Sequence, residues 1–372
     1  MIDMKKTRIA LICMMVWFIY SGTTVSCSSM GALPTPTETS IPTQAPTLTP
    51  KPTLTPTPTS TPTITPSSTP TPTPTPTPAT ASDVLPQMQL NLKEGDVFYI
   101  RMVSDQEIST TVEGQKQEIL QKIGYGYTYT ITSVDPEGNM SIDIVYEWIL
   151  LEQETDFGKV QFDSANPPEE IPAEAEGYNA LLGKGFSIRI TPQGEVIEIE
   201  GLDEMYMGMI DDLDITDETE REQMKQLFRD QFGDDALKEQ MGNLMMDYPE
   251  GPIRVGDTWT QSVESTAIAP LIIETTYFLR SYENGIATID ARSTITTHPD
   301  AEMLDLGYAK IGYNLSGEQE GTTLLDVETG LTLNGTITQT LSGEMTMIME
   351  DEEMTVPMSI LGVTTIEMVM VE

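Results

Sequence analysis

From about residue 84 onward, apolar and polar residues alternate in runs rich in β-branched and aromatic side chains, the period of strands that bury one face. The alternation predicts strands over Val97–Val103, Tyr127–Val134, Met140–Leu151, Phe186–Ile190 and Glu195–Glu200. A second series is predicted over Thr258–Glu264, Ile272–Ser281, Ile286–Ile295, Ala309–Leu315, Thr322–Val327 and Leu331–Leu341, with two more strands near the C-terminus.

The two series echo each other. Gly95-Asp96-Val97-Phe98 returns as Gly256-Asp257-Thr258-Trp259. Tyr129 to Ser133, Gly138 and Ile142-Asp143 return as Tyr277 to Ser281, Gly285 and Ile289-Asp290. Thr191-Pro192-Gln193-Gly194 pairs with Val327-Glu328-Thr329-Gly330, each a turn between strands. Glycine supplies a turn conformation that other residues resist. One such unit alone leaves an apolar face uncovered, so the two are expected to pack as one domain.

Between the series the period changes to that of a helix. Met224, Leu227 and Phe228 share one face, and Leu237, Met241, Leu244 and Met245 another, with Gly233 between them and Pro249 as a stop. Shorter helices are expected at Ala173–Leu182 and Asp203–Met209. The predicted fold class is therefore α+β: a strand-dominated antiparallel sheet or open half-barrel built from a duplicated β unit, with a helical insertion between the halves. Its limits are 84–372, with repeat 1 at about 88–200, the insertion at about 203–248 and repeat 2 at about 252–372.

Ahead of the domain the composition is different. Leu33 to Thr80 is a Pro/Thr tract that ends in strict alternation from Thr69 to Pro78. Proline fixes φ and removes amide donors, so polyproline II is expected, and ~50 residues at ~3.1 Å each reach on the order of 150 Å. Before the tract, Lys5, Lys6 and Arg8 precede an apolar run from Ile9 to Tyr20, which is signal-peptide length and short of a membrane-spanning helix.

The segment Ser21-Gly22-Thr23-Thr24-Val25-Ser26-Cys27 resembles the lipobox of bacterial lipoproteins, with Thr24 where such boxes favour Leu. The resemblance implies a leader at 1–26, a diacylglyceryl group on Cys27, a tether at 27–83, and a domain held to the membrane outside the cytoplasm. The duplicated Gly-Asp-x-aromatic strand start and its hairpin, over most of Leu90–Met349, also resemble an uncharacterised family of bacterial lipoproteins. That resemblance implies an architecture and a compartment and no activity.

Charge and chemistry narrow the function. Beyond residue 80 the chain has 56 acids against 15 bases, a surface that repels phosphate backbones, so no nucleic-acid partner is expected. Cys13 and Cys27 are the only cysteines, which leaves the domain no disulfide.

One histidine, His298, stands before Pro299, with no Gly-x-Ser-x-Gly elbow and too few ligands for zinc. Asp212, Asp214 and Glu218 match the spacing of a calcium loop in part, but Asp217 stands where such a loop needs Gly and Gln223 where it closes on an acid. Gly124-Tyr125-Gly126 and Gly183-Lys184-Gly185 lack the endings of phosphate loops. Trp148 and Trp259 lie in strand patterns and are expected in the core. No enzyme chemistry, cofactor or metal is therefore expected.

Methionine is the remaining signal, with 18 after the tether. Flexible thioethers suit adaptable apolar surfaces, so Met205, Met209, Met224, Phe228, Met241 and Met245 are the candidate surface for an apolar ligand or lipid. The alternatives are a module for a protein or envelope polymer and, less favoured, a carboxylate-dependent hydrolase.

Overall fold

The computed structural model describes residues 84–212, 221–222, 249 and 251–370, less 86, 113, 157, 266–269, 306–309 and 350–351. The strands in chain order are β1 (Val84–Leu85), β2 (Val97–Val112), β3 (Gln115–Val134), β4 (Met140–Thr155), β5 (Gly158–Asp163), β6 (Gly185–Ile190) and β7 (Val196–Glu200). They continue as β8 (Ile253–Arg254), β9 (Thr258–Ser265), β10 (Leu271–Glu283), β11 (Ile286–Thr297), β12 (Leu304–Asp305), β13 (Lys310–Asp326), β14 (Leu331–Met349) and β15 (Glu352–Met370). A 3-10 turn at Ala173–Ala175 leads into α1 (Glu176–Asn179), and α2 is Leu202–Asp212.

Thirteen strands form one open antiparallel sheet in the order β7-β6-β4-β3-β2-β15-β14-β13-β11-β10-β9, with β5 beside β4 and β12 beside β13. Strands β1 and β8 pair separately. The runs β2-β3-β4-β6-β7 and β9-β10-β11-β13-β14 cross the sheet in the same sense, and β15 joins them by pairing with both β2 and β14.

The sequence echoes are matched bond for bond. The Gly95 N–H donates to Ile131 O, Asp96 O accepts from Ile131 N–H, and an Asp96 carboxylate oxygen accepts from Lys93 N–H at 2.7 Å. Gly256, Leu279, Asp257 and Arg254 repeat all three, the last at 2.8 Å. Gly95 and Gly256 hold φ of 91° and 99°, where glycine carries no Cβ penalty.

Several strands run longer than the alternation predicts. β2 continues to Val112 and β3 begins at Gln115, and the two segments expected to end at Leu315 and to begin at Thr322 meet in the single strand β13, Lys310–Asp326. One strand, β15, replaces the two expected near the C-terminus, because β14 runs on to Met349. The cause is shared: near mid-strand, positions on the buried face are polar or glycine, including Ser104, Gln106, Gln121, Gly317 and Gln319, so the apolar period lapses while the strand does not.

The expected helix at Ala173–Leu182 contracts to the 3-10 turn and α1, with Gly177 inside it, since glycine costs about 1 kcal/mol relative to alanine in a helix. The helix expected at Asp203–Met209 is α2, with Asp203 and Glu204 in its first turn, where carboxylates complement the helix dipole.

Candidate functional site

Side chains on one face of the sheet are buried, and this is called the inner face. On β2 it carries Phe98, Ile100, Met102, Ser104, Gln106, Ile108, Thr110 and Val112, the even positions that cross-strand pairing sets beside Tyr129, Tyr127, Tyr125, Ile123, Gln121 and Ile119 of β3. The opposite face holds Tyr99, Arg101 and Trp148 over Gly124 and Gly126, where a Cβ on Gly124 would lie 2.5 Å from the Trp148 ring. These glycines make room for flat-lying rings, which explains their spacing without a phosphate. Trp148 Nε1 donates to Asp163 Oδ1 at 2.8 Å, and the Arg101 guanidinium stacks 3.8 Å above its ring.

One end of the inner face is aromatic and covered by helices. Phe98, Tyr125, Tyr127, Ile131, Ile144, Tyr146, Ile149 and Leu151 pack with Tyr178 of α1 and Leu202, Met205, Tyr206 and Ile210 of α2. Phe98 stacks on Tyr129 at 5.0 Å, and Tyr127 lies 4.9 Å from Tyr146. Burial pushes the Tyr129 hydroxyl up to about 12 and also raises those of Tyr146 and Tyr206, because the interior disfavours phenolate. A smaller cluster beside it joins Leu85, Met88 and Ile253 to Leu279, Ile289 and Leu325, with Trp259 stacked on Tyr277 at 5.2 Å.

The other end is aliphatic and rich in methionine. Ile108, Val112, Ile119, Ile295, Ile311, Tyr313, Leu315, Leu341, Met345, Met347, Val356, Met358 and Ile360 form it, with Met349 and Met354 packed against it. Every described member lies on a strand of the sheet. Register places Met345 beside Tyr313 and Val356, and Met347 beside Ile311 and Met354. Gly317 and Gly343 let β13 and β14 approach here, since a Cβ on either would stand 1.9 Å from a backbone carbonyl oxygen of the neighbouring strand.

A polar row separates the ends. Directly paired residues run from Gln261 on β9 through Thr275, Ser293, Gln319, Gln339, Gly362, Gln106 and Gln121 to Gln153 on β4. Each lies on the inner face and none is ionisable. Thr275 and Ser293 share a hydroxyl hydrogen bond of 2.9 Å, and Tyr277 Oη donates to Gln261 Oε1 at 2.8 Å. Gln106 Nε2 and Thr364 Oγ1 both donate to Ser104 Oγ, each at 3.0 Å. Gln106 Oε1 and Gln121 Oε1 have no hydrogen-bond partner among the described residues, although the side chains are 4% and 2% exposed. An orphaned buried acceptor costs roughly 1–3 kcal/mol.

Of the six residues singled out for an apolar ligand, Met205 is packed within the aromatic end and Met209 belongs to α2. Met224, Phe228, Met241 and Met245 lie outside the described residues, as do Cys27, the Pro/Thr tract and the calcium-like spacing from Asp214 onward. The methionines at 345, 347, 349, 354 and 358 are not among those that helical spacing picks out. Their signal is period-2 spacing in Met345-Thr346-Met347-Ile348-Met349, which sets thioethers on one strand face.

Two surface clefts complete the picture. One of about 450 Å³ lies among the turns holding Asn91, Pro136, Asn139, Thr191 and Gln193. Beside it Asn139 and Arg189 donate to the Asp135 carboxylate, at 2.9 and 2.6 Å, and hold it down at about 2, Asn139 contributing most. The other, about 820 Å³, is an open groove whose carboxylates Asp143, Glu200, Asp203 and Glu204 are all exposed. His298 Nδ1 accepts from Asp300 N–H at 3.1 Å. Among the described residues no three or more His, Cys, Asp or Glu side chains are placed to hold a metal, and no helix is long and apolar enough to cross a membrane.

Residues 137–332, just over half of the chain, match the family of unknown function DUF6263, and the chain belongs to that family. No curated protein matches it. Among solved structures it is similar to one concerned with lipid–protein interactions in lipovitellin, at 8% identity and TM-score 0.42 over 75% of this chain. The chain spans 25% of that protein's length. An outer membrane channel from Pseudomonas putida F1 gives 7% identity and TM-score 0.23 over 76% of this chain and 98% of the channel. Nothing about either protein is carried over at such scores.

Proposed function

We propose that this protein is a lipid-anchored extracytoplasmic binding protein that takes an apolar or amphipathic ligand on the inner face of its sheet and performs no chemistry on it. The Met-rich end carries this reading. Five thioethers on two paired strands stand in or against this buried cluster, and their unbranched side chains allow it to repack around ligands of varied shape, as branched side chains do not. The leader, Cys27 and the Pro/Thr tract supply the anchor and the reach.

The binding claim is tested by native mass spectrometry of the full chain carrying Cys27→Ser, isolated from a bacterial host without detergent. The expected result is a stoichiometric apolar adduct that denaturant releases. A mass without any adduct, together with no displacement of a fluorescent apolar probe, overturns the reading. Anchoring is tested separately: Cys27→Ser is expected to move the protein out of the membrane fraction, and unchanged partitioning contradicts a lipid anchor there.

A second reading, a module for a protein or envelope polymer, is favoured by one observation on the outer face. Leu120 and Leu361, each 49% exposed, flank Glu107 from its two neighbouring strands, with Val363 close by. Cross-linking from Leu361 on intact cells that captures nothing retires this alternative.

A further inference from the structure

We infer that the polar row selects the head group of the ligand, and that the head is an uncharged hydrogen-bond donor, a hydroxyl or primary amide. This rests on the inner-face binding proposed above and adds the chemical class of the ligand.

Gln106 and Gln121 are direct cross-strand partners, and each presents a buried carbonyl oxygen with nothing among the described residues donating to it. The Gln106 amide nitrogen is already committed to Ser104 Oγ, which also receives the Thr364 hydroxyl. What remains at the centre of the row is two adjacent acceptors, and a group that satisfies both brings two donor hydrogens.

Charge is excluded by the same residues. The row from Gln261 to Gln153 contains no carboxylate to balance an ammonium and no Lys or Arg to balance a phosphate or carboxylate. An ion buried there is unpaired, and an unpaired buried charge is far costlier than a neutral donor.

There is also room beside these acceptors. The position across from Gln106 on β15 is Gly362, and a Cβ built there would meet Gln106 Cγ at 3.5 Å and the Asp105 carbonyl oxygen at 3.8 Å, ordinary contact distances. Glycine at 362 is therefore not demanded by packing. It leaves at least a methyl group's space where a side chain would otherwise cover the row. On one side of the row lies the aromatic cluster, packed beneath α1 and α2, and on the other the Met-rich cluster, so a chain attached to such a head runs toward the methionines.

The test compares four chain-matched probes on the full chain carrying Cys27→Ser, by displacement of a fluorescent apolar reporter. The probes are a monoacylglycerol, its di-O-methyl ether and the corresponding fatty acid anion; a primary fatty amide of the same length separates hydroxyl from amide heads. The monoacylglycerol or the amide is expected to bind at least about tenfold more tightly than the ether, since each neutral bond is worth ~1 kcal/mol. In the variant Gln106→Leu/Gln121→Leu the preference is expected to vanish while ether binding persists.

If all probes bind equally to the unaltered chain, or the ether or the anion binds best, the head-group inference is overturned and inner-face binding stands. If no probe displaces the reporter, both fall. Should the double variant fail to fold, Gly362→Val, which fills the space beside Gln106 from the neighbouring strand, is expected to give a loss of preference, and fully retained preference contradicts the inference.

Discussion

The two ends of the inner face solve the same burial problem with different materials. The aromatic end stacks tyrosines and fixes them beneath α1 and α2, so its packing is layered and its side chains have few rotamers. The Met-rich end is built from strand residues alone among those described, with unbranched thioethers beside Tyr313 and Leu315. A rigid region and an adaptable one thus share one sheet, and the proposed binding assigns the ligand to the second.

One of the two largest expected effects is backbone in origin and falls at the Met-rich end. Gly317→Ala places a Cβ 1.9 Å from Thr340 O, an atom that cannot step aside, and is expected to cost about 3 kcal/mol or more by chemical denaturation. Phe162→Ala, which empties a fully buried site at the aromatic end, is expected to cost ~3–5 kcal/mol. Met347→Leu at the opposite end is expected to cost less than ~1.5 kcal/mol because volume is conserved. Comparable losses at Phe162 and Met347 erase the proposed contrast.

Alkaline pH sharpens it further. The Tyr129 hydroxyl titrates above its unfolded value near 10, so its neutral form contributes stability that is complete below about 10 and is lost as pH rises through about 12, and burial raises Tyr146 in the same direction. Unfolding is expected to coincide with tyrosinate absorbance, and early ionisation without unfolding contradicts a closed aromatic end. The smallest effect is at the surface. Asp135 is held at about 2, so what it contributes is present above the unfolded carboxylate value near 4 and is lost as pH falls through about 2. Asp135→Asn is expected to flatten the acid limb of the stability profile.

Much of this architecture is legible in the sequence where one face is uniformly apolar. Tyr127–Val134 and Ile286–Ile295 alternate cleanly, and the Gly95-Asp96 and Gly256-Asp257 starts mark strands whose hydrogen bonds match. The polar row is not legible. Gln106, Gln121 and Gln339 sit on inner-face positions yet read as solvent-facing, so apolar periodicity ends beside them while the ladder continues through. Only pairing across nine strands reveals that these scattered residues are neighbours. The Met-rich end is legible in part, since Met345 and Met347 alternate, but helical spacing elsewhere points instead to Met205, which packs in the aromatic end.

If ligand binds at the Met-rich end, as proposed, methionine methyl resonances report on it directly. Protein labelled with carbon-13 at methionine methyls and titrated with a monoacylglycerol is expected to show shifts at Met345, Met347 and Met358, with Met140 and Met205 of the aromatic end unmoved. Shifts confined to Met140 and Met205, or none at saturating probe, contradict the account.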